Sequence, residues 1–85
     1  MDKLESRFVK YSNKIKNADI EMNDNEKLEL YGLYKQATVG NCNIEKPSIL
    51  KFTEYRKYNS WNDRIDMSKE DAMTLYIELV KMYLK

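Results

Sequence analysis

Histidine is absent from this sequence of 85 residues, and several other residue types are scarce. Without histidine there is no Ser–His catalytic pair, no histidine-ligated metal and no side chain whose ordinary pKa lies near neutral pH. The single cysteine, Cys42, excludes an intramolecular disulfide and a cysteine-rich zinc site. No apolar run exceeds three residues, which excludes a membrane-spanning helix. Residues 1–20 lack the apolar stretch of a secretory signal, so we expect a cytoplasmic protein.

An excess of charge of one sign is also missing from the whole chain. The chain has 15 basic and 14 acidic residues, a net charge of +1, which argues against a general polyanion binder. The balance is uneven, because residues 31–64 hold six basic and three acidic side chains, net +3. The same segment contains most of the aromatic residues, namely Tyr31, Tyr34, Phe52, Tyr55, Tyr58 and Trp61. Two interpretations stay open: a packed core with solvated lysines, or a surface for a ligand that carries a ring and phosphates.

Two glycines and one proline leave few breaks, and the apolar residues recur at helical spacing. The pattern predicts an all-α fold, a four-helix bundle in one domain over residues 1–85. We expect α-helices at 3–17, 24–39 and 50–62, and a last one from Ser68 to the C-terminus. Caps are expected at Asp2, Asn23 and Ser68, and a left-handed residue at Gly40. The aromatic residues expected to face the core are Tyr34, Phe52, Trp61 and Tyr83.

Three motifs narrow this general interpretation. Residues 30–40 read LYGLYKQATVG, which contains the pattern Tyr-x-x-Tyr-Lys-Gln-Ala-Thr-x-Gly. Lys57 and Trp61 follow with the spacing Lys-x-x-x-Trp, and residues 68–77 read SKEDAMTLYI. In this order and spacing, and with Phe8 on the first helix, the chain resembles the acyl-CoA-binding proteins from about residue 8 to residue 83. These are small four-helix carriers of fatty acyl-CoA thioesters, so the resemblance implies such a ligand and no cofactor.

The resemblance also implies which residues contact the ligand. Residues matching Tyr31, Lys35 and Lys57 hold the 3′-phosphate of the CoA nucleotide in that family. Tyr31 and Lys35 are four apart and share a helix face, and both side chains can donate hydrogen bonds to phosphate oxygens. Residues matching Tyr76 and Lys16 lie against the nucleotide. Further ligand contacts are implied at Phe8, Tyr11, Ser12 and Leu28.

The resulting hypothesis is a monomeric, non-enzymatic carrier of long-chain acyl-CoA that contacts membranes or acyl-CoA-using enzymes transiently and binds no nucleic acid. Tyr11, Lys27 and Glu29 depart from residues common in the family, which leaves the preferred chain length open. The alternative is a small helical module that binds a protein or a nucleic acid through its basic aromatic middle segment. The near-zero net charge and the ordered motifs count against that alternative.

Overall fold

The computed structural model describes residues 2–85 and contains four α-helices, numbered in chain order: α1 Lys3–Asn17, α2 Asp24–Thr38, α3 Phe52–Asn62 and α4 Lys69–Tyr83. No strand occurs in residues 2–85, so the all-α prediction is confirmed. The predicted bounds of α1 are confirmed, α2 ends one residue earlier than predicted and α3 begins two residues later. None of these four helices is long and apolar enough to cross a bilayer.

The helix starts are fixed by the side chains that the sequence predicts as caps. At α2 the Asn23 Oδ1 accepts the Glu26 N–H at 2.8 Å, and the Asn23 N–H donates to the Glu26 carboxylate at 2.9 Å. Asp2 and Ser68 cap α1 and α4 by one bond each, accepting the N–H three residues on at 2.7 and 3.0 Å. Each such cap satisfies a backbone donor that has no partner inside the helix. Ser68 therefore precedes α4 rather than opening it.

The connection after α2 is held at its start by hydrogen bonds that the buried side chains of Gln36 and Trp61 donate. Gly40 has φ 98°, the left-handed conformation predicted for it, and its carbonyl accepts the Trp61 indole N–H at 2.7 Å. One residue on, Asn41 accepts from the buried Gln36 amide at 2.9 Å. The same Gln36 amide donates to the Met67 carbonyl at 2.8 Å. These bonds tie the end of α2 to both α3 and the turn before α4.

The four helices are arranged as a thin slab. α1 packs on α4, α4 on α2, and α2 on α3. The Cα atoms span 37 by 28 by 15 Å, so the arrangement is flattened along one axis. The core lies between α1, α2 and α4, and it contains Phe8, Ile15, Leu30, Leu33, Ala37, Ala72, Tyr76, Ile77 and Val80.

The slab explains why part of the predicted core is wrong. Trp61 is 2% exposed, as expected, and Tyr83 is half-buried. Tyr34 and Phe52 were expected in the core, but they are 42% and 60% exposed. Leu50, the first residue of the range predicted for α3 and on the apolar spacing of that helix, precedes the observed helix and is 91% exposed. Since α3 packs on α2 alone, most of its circumference has no helix to cover it.

Candidate functional site

The site begins with an unusually close approach of α2 and α3 at Gly32. A Cβ built on Gly32 would lie 2.7 Å from the carbonyl carbon of Ser60, and still nearer to both Ser60 oxygens. The Ser60 hydroxyl also donates to the backbone carbonyl of Leu28. A side chain on residue 32 would therefore push the helices apart, and glycine lets their backbones touch.

This approach brings lysines and aromatic rings together along the seam between α2 and α3. The Lys57 ammonium lies 5.3 Å from the centroid of the Tyr31 ring. The Lys35 ammonium lies 4.8 Å from the centroid of the Trp61 ring. Both are within the range of a cation–π contact. The second pair is one helical turn further along both helices, so the two ammonium groups lie on one seam, each over an aromatic ring.

A second cluster joins three helices through aromatic rings. Phe8 from α1 meets Tyr76 from α4 edge to face, with centroids 5.0 Å apart. Tyr34 from α2 stacks on Phe8 at 5.5 Å, with 27° between the ring planes, and lies 6.0 Å from Tyr76. Phe8 and Tyr76 are buried, whereas Tyr34 keeps 42% of its surface exposed. The cluster thus presents one exposed ring on a rigid aromatic base, suited to stacking against a planar ligand ring.

Within this site, Tyr34 is a residue that sequence reasoning placed wrongly, because it was expected in the core and is exposed. It stands inside the Tyr-x-x-Tyr-Lys motif, three residues after Tyr31 and directly before Lys35. Residues three apart share a helix face, which was the available signal that Tyr34 belongs with the site. Helical periodicity could not supply it, because that pattern marks an aromatic residue as apolar without showing whether a neighbouring helix covers it.

Both tyrosine hydroxyls at the site remain protonated at neutral pH. Burial raises the pKa of Tyr76 to about 12, and the neighbouring Tyr34 adds to the shift. Burial also raises the pKa of Tyr31, with a smaller contribution from the charge of Cys42. A protonated hydroxyl donates a hydrogen bond, whereas a phenolate would repel a phosphate. The two hydroxyls therefore complement the lysine ammonium groups as donors to an anion.

Two clefts adjoin these clusters. One, of about 210 Å³, continues from Lys57 between α2 and α3 and is lined by Asp24, Lys27, Leu28, Thr53, Arg56 and Lys57. The other, of about 400 Å³, lies beside Phe8 and is bordered by the carboxylates of Asp2, Glu5 and Glu70 and by one ammonium, that of Lys69. Because the three carboxylates outnumber the single ammonium, the larger cleft suits an anionic headgroup less well than the lysine seam. Half-buried Leu28 belongs to the smaller cleft, which adjoins the lysines.

Three predicted contacts on α1 lie apart from this seam. In residues 2–85, no hydrogen bond or ring contact joins Lys16, Tyr11 or Ser12 to the seam or to the aromatic cluster. Lys16 is exposed, and the Ser12 hydroxyl donates to a carbonyl of its own helix at 2.9 Å. The half-buried Tyr11 ring is surrounded by ammonium groups at 5.2 to 5.9 Å, those of Lys10, Lys14 and Lys81.

Comparison with known proteins decides the family. The family model described as acyl CoA binding protein matches residues 5–80. The chain belongs to the acyl-CoA-binding protein family. An acyl-CoA-binding protein of Dictyostelium discoideum is 42% identical over 72 residues, covering 85% of this chain and 86% of that protein. Acyl-CoA-binding domain-containing protein 1 of Oryza sativa subsp. japonica is 40% identical over 82 residues, 96% of this chain and 90% of that protein.

The fold of the acyl-CoA-binding family is found here as well. The crystal structure of Oryza sativa acyl-CoA-binding protein 2 superposes with a TM-score of 0.91 at 38% identity, covering 95% of this chain and 88% of that one. The predicted four-helix fold of the acyl-CoA-binding type is confirmed by this likeness. Family membership also disfavours the alternative of a protein- or nucleic-acid-binding helical module.

Proposed function

We propose that this chain is a carrier that binds long-chain fatty acyl-CoA non-covalently. The observation that carries the proposal is the seam between α2 and α3, where the Lys57 ammonium lies over the Tyr31 ring and the Lys35 ammonium lies over the Trp61 ring. The two ammonium groups and the Tyr31 hydroxyl can each donate to an anion. These three donors complement a phosphate, and the family to which the chain belongs supports a CoA nucleotide as its source. Lys57 and Tyr31 come from different helices, so a phosphate at the seam would also hold α2 and α3 together.

The nucleotide base has a matching surface on the aromatic cluster. The exposed Tyr34 ring stacks on Phe8 of α1 and lies near Tyr76 of α4. Tyr34 is therefore on the side of α2 that faces α1 and α4. Adenine stacked there would lie beside the Tyr31–Lys35 turn of α2, which holds the phosphate donors. In this proposal Lys16, Tyr11 and Ser12 contribute less than the resemblance implies, because no hydrogen bond or ring contact links them to either cluster in residues 2–85.

The acyl chain has an apolar route along the smaller cleft. Leu28 supplies its apolar wall, and the stem of Lys27 can lie along a hydrocarbon chain while its charge stays in water. The acyl chain is joined to the nucleotide through the pyrophosphate and the thioester-bearing arm. With the 3′-phosphate near Lys57, this arm can lead the acyl chain into the cleft between α2 and α3. Lys27 stands where family members often have an apolar residue, so its stem is a determinant of the preferred chain length.

Orders of magnitude predict that both ends of the ligand are needed. Three charge-assisted hydrogen bonds contribute about 5–9 kcal/mol in total, at about 1.5–3 kcal/mol each. Association costs about 4–15 kcal/mol, so the headgroup alone should bind weakly. Each buried methylene adds about 0.8 kcal/mol, so ~14 fully covered methylenes add about 11 kcal/mol. Long-chain acyl-CoA should therefore bind far more tightly than CoA, and also more tightly than a free fatty acid, which lacks the phosphate contacts.

We infer that the thioester leaves the protein unchanged. The sequence has no histidine and one cysteine, and no spacing in it places a nucleophile beside a base. A carrier of this kind sequesters a detergent-like molecule and delivers it to membranes or to enzymes of lipid metabolism. We propose that it does so as a cytoplasmic monomer, with residues 1–85 acting as one unit.

Isothermal titration calorimetry tests the proposal with four ligands: palmitoyl-CoA, its 3′-dephospho analogue, CoA and palmitate. We expect palmitoyl-CoA to bind most tightly, because the second ligand loses the phosphate, the third loses the chain and palmitate loses the whole nucleotide. Lys57→Ala should lower affinity for palmitoyl-CoA at least tenfold and leave affinity for the dephospho analogue nearly unchanged. Lys3→Ala, which removes the same charge from an exposed site on α1, is the matched control. Equal affinity for palmitate and palmitoyl-CoA would contradict the proposed function.

A further inference from the structure

The turn that leads into α3 carries an exposed apolar surface that the acyl-CoA site does not use. We call Ile49, Leu50 and Phe52 the apolar tip. Their side chains are 66%, 91% and 60% exposed. Single exposed apolar residues are ordinary in proteins, but three within four positions form a patch, and such patches mark interaction surfaces.

The backbone holds this tip in a defined shape. The Lys51 N–H donates to the Ser48 carbonyl at 2.9 Å, which closes a turn with Ile49 and Leu50 at its corners. The Leu50 N–H also donates to the Ser48 hydroxyl at 3.2 Å. Turn corners usually carry Gly, Asn, Asp or Pro, whose backbones suit a turn. Here large apolar side chains stand at the most protruding positions, where folding alone does not require them.

Basic residues flank the tip in sequence, and one of them, Arg56, also contacts it. Segment 44–57 contains Lys46, Lys51, Arg56 and Lys57 against two acidic residues, a net charge of +2. The Arg56 guanidinium lies 5.3 Å from the Phe52 ring, and the Lys46 ammonium lies 5.3 Å from the ring of Tyr55, one turn further along α3. An apolar tip flanked by basic residues matches the surface of an anionic bilayer, because apolar side chains can enter the acyl region while ammonium groups contact the headgroups.

The small size and the charge of the surface decide between possible occupants. Three side chains cannot supply the area of about 800 Å² per partner that a stable protein interface buries. A second copy would bring the same basic residues against each other, which is unfavourable. A bilayer needs no complementary shape and supplies negative charge on all sides of an inserted tip. The tip also precedes Thr53 and Arg56, which line the smaller cleft between α2 and α3.

We propose that the apolar tip docks the protein on anionic lipid bilayers, with Lys46, Lys51 and Arg56 contacting lipid headgroups. Docking there sets the mouth of the α2–α3 cleft against the membrane. The benefit of that position rests on the proposed acyl-CoA carrier function, because an acyl chain leaving the bilayer would enter the cleft directly. The docking itself involves only the ligand-free protein and lipid.

Sedimentation of the ligand-free protein with vesicles tests the proposal. The vesicles contain phosphatidylcholine with phosphatidylserine, and vesicles of phosphatidylcholine alone serve as the neutral comparison. Leu50→Ser/Phe52→Ser leaves the net charge unchanged and should lower partitioning onto anionic vesicles at least tenfold. Because both side chains are exposed, the melting temperature should change little. Unchanged partitioning of this variant overturns the proposal.

A charge-matched pair of variants separates local docking from net charge. Lys46→Ala/Lys51→Ala removes two charges beside the tip and should lower partitioning about tenfold. Lys10→Ala/Lys14→Ala removes two charges from α1, where they flank Tyr11, and should change partitioning less than twofold. Equal losses in the two variants would mean nonspecific attraction and would overturn the proposal. Calorimetry with palmitoyl-CoA on the same proteins reports the carrier function independently, since vesicle binding of the ligand-free protein does not require it.

Discussion

Replacing Gly32 by alanine tests whether the contact between α2 and α3 sets the geometry of the lysine seam. Alanine is the better helix former by about 1 kcal/mol, so helix propensity alone predicts a more stable protein. The added Cβ, however, would lie 2.7 Å from the carbonyl carbon of Ser60, well inside van der Waals contact. The obstacle is backbone, which cannot rotate away as a flexible side chain can, so α3 must shift.

The two effects have opposite signs, and their sizes predict which one prevails. Overpacking a closely packed contact typically costs about 1–3 kcal/mol, which exceeds the propensity gain over most of that range. A net loss of ~1 kcal/mol lowers the melting temperature of a domain of this size by about 4–8 °C. The shift of α3 should also move Lys57 away from the Tyr31 ring. We therefore expect both a lower melting temperature and at least a tenfold weaker affinity for palmitoyl-CoA.

Thermal unfolding followed by circular dichroism and calorimetric titration measure the two effects. Ser60→Ala is the control background, because it removes the Ser60 hydroxyl but keeps the carbonyl that blocks the Cβ. Gly32→Ala should remain destabilising in that background. A rise in melting temperature together with unchanged affinity would refute the reasoning, since it would mean that the helices accommodate a methyl group without moving.

Two further predictions concern the site's ionisable side chains. Because burial raises the Tyr76 pKa from 10.0 to about 12, its stabilising contribution is complete below pH 10 and is lost as pH rises towards 12. Urea unfolding between pH 9 and 12 should show this loss as a fall in the free energy of unfolding with rising pH. Tyr76→Phe should make that fall less steep, and an equally steep fall in the variant would contradict the prediction. Lys35→Ala should weaken binding of palmitoyl-CoA at least tenfold with a small change in melting temperature, since Lys35 is only half-buried and is not part of the buried core. A large drop in melting temperature with unchanged affinity would count against that role.

The sequence was sufficient to predict that there are four helices and to predict the capping residues of three of them. It was also sufficient to bring Lys57 together with Tyr31. Capping residues act within one turn of chain, so Asn23 and Ser68 could be assigned without knowing any tertiary contact. Resemblance to the family placed Lys57 with Tyr31, and the structure brings them together. The position of Tyr34 could not be derived in this way. Whether an aromatic residue on a helix is covered depends on which neighbours the helix has, and this is a property of the packed slab.

The exposure of the segment before α3 was missed for a related reason. Leu50 and Phe52 continue the apolar spacing of α3, so periodicity assigned them to its buried side. The structure shows that α3 starts at Phe52 and contacts α2 alone. Apolar periodicity shows that a face exists, but only tertiary structure shows what lies against it. For the same reason, the sequence alone could not decide whether the aromatic residues of the basic segment 31–64 form a packed core or a binding surface.

The contacts along the seam have a consequence for the chain that joins its two helices. Along the seam, Arg56 contacts Asn25 and Trp61 contacts Lys35. The residue numbers rise together on the two helices, so α2 and α3 run in the same direction. The chain must therefore return about 20 Å from the end of one helix to the start of the next. Six or seven extended residues would cover that distance, and residues 39–51 number about twice as many. Shortening this return by three or four residues should spare the helices, whereas cutting it by more than half should force the two to separate or to exchange partners between molecules.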